Sequence, residues 1–97
     1  MRSVKNLNGK YKILITKTAN KDKEKIKQYP ALQKKVQNLL EVIKDNPYQN
    51  PPPYEKLVGD LNSCYSRRIN IQHRLVYTID EESKIIKIIS MWTHYEF

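Results

Sequence analysis

The sequence predicts a single α+β domain of order β-α-α-β-β-β, with an antiparallel sheet and two early helices packed on one side of it. Three observations lead there. A chain of 97 residues has room for one compact core and no second. The three-and-four apolar spacing of helices is confined to the first half, and the last third carries short β-branched runs instead. A run of helices followed by a run of strands makes an α+β layer rather than an alternating α/β fold.

Residues 1–10, with Gly9 near their end, read as a flexible leader, and the domain spans 11–97. In residues 11–16, Tyr11, Ile13 and Ile15 alternate with Lys12, Leu14 and Thr16, which predicts a first strand with one buried face. Thr16 or Thr18 can cap the helix that follows, where Ala19, Ile26 and Tyr29 form a thin apolar stripe suited to the surface. Pro30 fits the first turn of a second helix, and Leu32, Val36, Leu39, Leu40 and Ile43 give it a broad core-facing side. Asp45, Asn46 and Pro47 end that helix. The triple proline Pro51, Pro52, Pro53 predicts a stiff, extended spacer that fixes what comes next. Strands over 64–70, 74–79 and 85–92, the last two joined by a turn at Asp80, Glu81, Glu82 and Ser83, form an antiparallel meander. The second helix covers one face of this sheet and leaves the other partly open.

The formal net charge of +8 favours polyanionic partners: RNA, DNA, acidic lipid or an acidic protein. Much of it lies before Lys27, where Asp22 and Glu24 are the acids, and it suits either a solvated basic face or a nucleic-acid footprint. A single cysteine, Cys64, rules out an internal disulfide and is too little for a structural zinc site, so a reducing cytoplasm is expected and Cys64 reads as a packed thiol. No apolar run approaches the roughly 20 residues of a membrane span.

The densest polar cluster is Ser66, Arg67, Arg68, followed closely by His73 and Arg74. Adjacent strand residues point to opposite faces, so one of Arg67 and Arg68 serves a given site while the other pairs with a carboxylate. Guanidinium groups suit phosphate, to which they donate paired hydrogen bonds at any ordinary pH. Cutting RNA also needs a base for the 2'-hydroxyl, an acid for the leaving 5'-oxygen and a cation for the charge developing on phosphorus. Glu55, His94 and Arg74 can fill these roles. There is no metalloprotease helix, Walker loop or two-metal carboxylate cluster, so the expected chemistry uses neither metal nor cofactor. His73 reads as a structural hydrogen bonder, and Tyr77 and Trp92 most simply as sheet packing, although an aromatic on an open face could stack on a base.

The runs Tyr54-Glu55-Lys56-Leu57, Ser66-Arg67-Arg68-Ile69, His73-Arg74-Leu75-Val76-Tyr77 and His94-Tyr95 resemble, in order and spacing, the Txe/YoeB branch of the RelE/ParE toxin superfamily. The resemblance implies a RelE-like fold and a toxin of a type II toxin-antitoxin module that cuts messenger RNA on the ribosome. It further implies Glu55 as general base, Arg74 as transition-state cation, His94 as general acid and Tyr95 as a substrate-orienting group. Lys56, Arg67 and Arg68 would hold the RNA backbone. The implied partners are a Phd/YefM-type antitoxin with an acidic tail, the ribosome with its rRNA and mRNA, and a second copy of the chain in a homodimer. Val58, Gln72 and Thr93 depart from the family pattern, and Glu96 and Phe97 extend past Tyr95. Two alternatives stay open: a ParE-like toxin that binds gyrase, and an RNA-binding module that cuts nothing.

Overall fold

A computed structural model of the chain describes residues 10–57 and 64–92. Its elements are β1 (Lys12–Ile15), α1 (Lys17–Ile26), α2 (Pro30–Asp45), β2 (Glu55–Lys56), β3 (Cys64–Arg68), β4 (Arg74–Asp80) and β5 (Ile85–Ser90). The sheet is five-stranded in the order β1-β5-β4-β3-β2.

The α+β class and the two early helices agree with the sequence. The sheet itself differs in two ways. It is mixed, because β1 runs parallel to β5 while every other pairing is antiparallel. A chain that leaves β1 through two helices and returns at the far side of the sheet can reach β1's edge with its last strand in the same direction, which a pattern of separate strands does not reveal. The second difference is β2, two residues that pair with β3 and escape a periodicity search because of their length.

Thr16 caps α1, its hydroxyl accepting from the Ala19 N–H at 3.2 Å. The same hydroxyl donates to the Ile88 carbonyl at 2.9 Å, so the cap also ties the helix start to β5. α1 buries Ala19, Asp22 and Ile26, and α2 buries Leu32, Val36, Leu39 and Ile43. Both helices pack against Leu75, Tyr77, Ile86 and Ile88, which alternate along β4 and β5 and therefore share one face. α1 is seated more deeply than its thin stripe suggests. The Asp22 carboxylate accepts the Met91 N–H at 3.0 Å inside the protein, closing an otherwise unpaired donor at the end of β5.

The triple-proline connection is curled rather than extended. The carbonyls of Pro47, Gln49 and Pro52 all turn inward onto one side chain, the Arg67 guanidinium. Prolines lack an N–H, so this segment carries more acceptors than donors and gathers around a group that has only donors to give.

Candidate active site

Register decides which polar side chains meet. Glu55 lies directly opposite Ser66, and Ser66 opposite Val76, which in turn faces Ser90 across the bulge in β5. Two residues along β3, Arg68 lies directly opposite Arg74. Since side chains two apart on a strand share a face, Glu55, Arg68 and Arg74 all stand on the side of the sheet away from the helices. The diagonal from Glu55 to Arg68 is about 7–8 Å between Cα atoms, within reach of long side chains. Arg68 and Glu55 are exposed and Arg74 is half-buried, whereas Ser66, Val76 and Ser90 between them are buried.

Like charges directly opposite one another weaken a sheet. Neither Arg68 nor Arg74 has a carboxylate partner within ion-pair distance among the described residues, where the ion pairs are Lys27 with Glu24 and Lys84 with Glu81. A pair of unneutralised guanidiniums on one patch suits an anion by charge and by shape, because each can present two parallel N–H groups to a phosphate.

Arg67 belongs elsewhere, and its assignment to RNA contact is corrected here. It is fully buried on the helix-side face. Its Nε donates to the Tyr77 hydroxyl at 2.9 Å, one terminal nitrogen to the carbonyls of Pro47 and Gln49 at 2.9 Å each, and the other to the Pro52 carbonyl. The ring of Tyr54 lies 4.9 Å from the guanidinium carbon, adding a cation–π contact. Carbonyls, a phenol and a ring thus replace the carboxylate expected for the inward arginine. Burial raises the Tyr77 hydroxyl's pKa, while the adjacent Arg67 charge pulls it back down.

Lys56 also departs from expectation. It pairs with Tyr65 rather than Ser66, so its side chain leaves β2 on the face opposite Glu55, away from Arg68 and Arg74. His94 and Tyr95 lie outside the described residues. His73 makes the structural contact foreseen for it, its Nδ1 within hydrogen-bond reach of the Trp92 carbonyl. Trp92 is half-buried and packs against the core, as foreseen. Its ring lies against His73 and Tyr29 at the end of the sheet. Cys64 is half-exposed, and burial raises its thiol's pKa, which favours the unreactive protonated form. Among the described residues no three His, Cys, Asp or Glu side chains gather as a metal site would require, and no helix is long and apolar enough to cross a membrane.

The residues that sequence reasoning missed are Asp22 and the proline-loop carbonyls. Asp22 sits between Ala19 and Ile26 on the stripe that faces the core, and an acid placed there signals a buried donor waiting for it.

Comparison with known proteins bears on the whole arrangement. Residues 15–95 match the model of the YoeB-like toxin of bacterial type II toxin-antitoxin system. A Toxin YoeB of Synechocystis is 38% identical over 65 residues, 67% of this chain and 73% of the relative. Among solved structures, a YoeB/ParE toxin from Agrobacterium tumefaciens superposes with a TM-score of 0.80 at 27% identity, covering 87% of this chain and 99% of that one. The YoeB of a YoeB–YefM complex from Staphylococcus aureus superposes at 0.76 with 38% identity, over 88% and 98% of the two chains. By sequence and by fold, this chain belongs to the YoeB-like toxins of bacterial type II toxin-antitoxin systems.

Proposed function

We propose that the chain is a ribosome-associated endoribonuclease that cuts messenger RNA without a metal, by general acid–base attack of the 2'-hydroxyl. Membership of the YoeB-like toxins supports an endoribonuclease in general terms. The observation that carries the finer reading is the placement of Glu55, Arg68 and Arg74 on one face by strand register.

In this mechanism Arg68 and Arg74 hold the scissile phosphate and balance the charge that grows on its oxygens. The Glu55 carboxylate takes the proton of the 2'-hydroxyl, and the freed oxygen attacks phosphorus. The 5'-oxygen leaves as His94 gives it a proton, so the products are a 2',3'-cyclic phosphate and a 5'-hydroxyl. Histidine suits the acid's part because its ordinary pKa is near neutrality and a neighbouring phosphate favours its charged form. Tyr95 orients the substrate. The partner is a Phd/YefM-type antitoxin whose acidic tail covers the basic face, in keeping with the net charge of +8 and with the S. aureus YoeB–YefM complex. A YoeB dimer from the same organism, 36% identical at a TM-score of 0.76, supports self-association as a second state.

The test is single-turnover cleavage of a translated messenger on purified ribosomes, with ribosome binding measured in parallel. Glu55→Gln and His94→Ala should each lower the rate by about 10²- to 10⁴-fold while binding persists. An unchanged rate removes that residue from the chemistry. At a magnesium level that keeps ribosomes intact, a chelator selective for transition metals should leave the rate unaltered; recovery by one added metal would refute the metal-free route. DNA damage without messenger cleavage would favour the gyrase-binding alternative.

A further inference from the structure

A concavity of about 700 Å³ lies at the end of the sheet, bordered by Tyr29, Lys35, Asn70, Gln72, His73 and Trp92. Its volume is that of a small-molecule site rather than of a surface wrinkle. The aromatic rings along it are ordered. Trp92 and His73 have ring centroids 4.3 Å apart with planes inclined by 31°, and Trp92 and Tyr29 are 5.8 Å apart at 35°. Tyr29 is 51% exposed, so an aromatic ring here meets solvent rather than core.

The walls are held in place before any ligand arrives. Asn70 Oδ1 accepts from the N–H groups of Gln72 and His73 at 2.9 and 2.7 Å, and the Ile69 N–H donates to the His73 carbonyl at 2.8 Å. The turn between β3 and β4 is thereby fixed, and the contact from His73 to the Trp92 carbonyl locks it to the end of β5. Cations stand at the rim: Lys35 borders the concavity, and the Lys25 ammonium lies 5.5 Å from the Trp92 ring centroid.

Position in the chain links this cavity to the cleavage chemistry. His73 immediately precedes Arg74, and the turn that carries Asn70 and Gln72 joins Arg68 to Arg74. In sequence, Trp92 precedes His94, the acid of that reading, by two residues. The cavity is built from residues next to the phosphate-holding arginines and next to the acid.

We propose that this cavity is a nucleobase subsite, in which an unpaired RNA base flanking the scissile phosphate stacks on Trp92, His73 and Tyr29. Every base has a flat π-face, and stacking on aromatic side chains is how unstacked single strands are held. The Gln72 side-chain amide, with a donor and an acceptor to offer, faces the base edge and sets the preference among the bases. Lys25 and Lys35 attract the adjoining phosphates without regard to sequence. The inference rests on the RNA-cutting reading above, which supplies the substrate, but it concerns binding and can be tested apart from cleavage.

Trp92 is the sole tryptophan of the chain, so its fluorescence reports this cavity directly. The intact protein is titrated with AMP, GMP, CMP and UMP, and with ribose 5-phosphate as a base-free control. Saturable quenching by nucleotides and none by ribose 5-phosphate is expected. Tyr29→Ala should weaken nucleotide binding by about 10-fold, since removing a stacking ring commonly costs that much. Gln72→Ala should reorder the four nucleotides, and should shift cleavage in the same sense among messengers that differ only in the base beside the cut. Absence of saturable quenching through the millimolar range, or equal quenching by ribose 5-phosphate, would overturn the subsite. So would quenching by a glutamate-rich peptide in the absence of any nucleotide response, which would give the cavity to a protein partner. Nucleotide quenching by a protein that cuts no messenger would uphold the subsite and refute the nuclease reading instead.

Discussion

Arg67 and Arg68 are neighbours in the chain, yet they lead opposite lives. Arg67 points to the helix-covered side, is wholly buried and spends its guanidinium on carbonyls and a phenol. Arg68 points to the other side, stays in solvent and stands across from a second arginine that nothing neutralises among the described residues. One arginine supports the proline loop from inside, and the other stands on the face of the proposed site. By gathering the carbonyls of Pro47, Gln49 and Pro52, Arg67 fixes the loop that delivers Glu55 three residues later to the edge of the sheet. A residue with no access to substrate thus controls where the proposed base sits.

Exchanging the two arginines one at a time gives the largest contrast. Arg67→Leu should destabilise the fold by about 3–5 kcal/mol, because its loss strands several acceptors in the interior. Arg67→Lys should recover only part of this, a tetrahedral ammonium being unable to match the planar fork that reaches three carbonyls and a hydroxyl. Arg68→Gln should change stability by no more than about 0.5 kcal/mol. Its cost should appear in cleavage, lowered by about 10- to 100-fold through loss of a charged hydrogen bond to phosphate. Urea unfolding and single-turnover cleavage on the same pair of proteins measure both quantities. If Arg68→Gln proved the more destabilising, the division between the faces would be wrong.

How much of this was legible in the sequence follows from the same contrast. Strand alternation alone said that Arg67 and Arg68 must diverge, and it could not say which one turned inward, because both ends of the run are polar. The apolar spacing gave α2 and its core residues Leu32, Val36, Leu39 and Ile43 without help. The cap of α1 was narrowed to Thr16 or Thr18, and the hydrogen bond from the Ala19 N–H selects Thr16. The proline segment was misread as a straight spacer, since its shape is set by a side chain 15–20 residues away rather than by its own dihedrals. Lys56 and the parallel pairing of β1 were lost for a related reason: both depend on register between strands distant in sequence. Glu55, Arg68 and Arg74 could be picked out by type, but only the pairing of β2, β3 and β4 brings them onto one face.

A smaller effect tests whether the helix-covered side contains other buried polar supports of this kind. Asp22→Ala should cost about 1–3 kcal/mol, because the Met91 N–H would remain inside without an acceptor. Asp22→Asn keeps an acceptor oxygen and should cost clearly less. Equal losses in the two variants, measured by denaturant unfolding, would mean that packing of α1 and not this hydrogen bond is what matters.

The smallest effect expected belongs to an exposed cluster, where the same kinds of group are weakened by solvent. Glu81 in the turn between β4 and β5 accepts from the Tyr11 hydroxyl at 3.0 and 2.9 Å, from the Tyr48 hydroxyl, and from Lys84 at 2.8 Å. It joins the residue before β1, the loop after α2 and the turn before β5. Led by the bond from Lys84, then those from Tyr48 and Tyr11, these donors hold the Glu81 carboxyl at a pKa of about 2, below its ordinary 4.5. A depressed carboxyl stabilises the fold fully above its unfolded pKa, and that contribution disappears as pH falls from about 4.5 towards 2. Both tyrosines move the other way, upward from 10.0, through burial first and then through their bonds to Glu81. Their neutral forms are therefore favoured in the fold, and the stability they add is lost only as pH rises above about 10. Between those limits the cluster should be insensitive to pH. Thermal unfolding of the wild type and of Glu81→Gln, followed from pH 7 down to pH 2, should give curves that converge at the acid end, since protonation and substitution remove the same charge. Curves that stay parallel across that range would show that Glu81 carries no acid-sensitive share of the stability, in contrast to the losses expected at the buried contacts of Arg67 and Asp22.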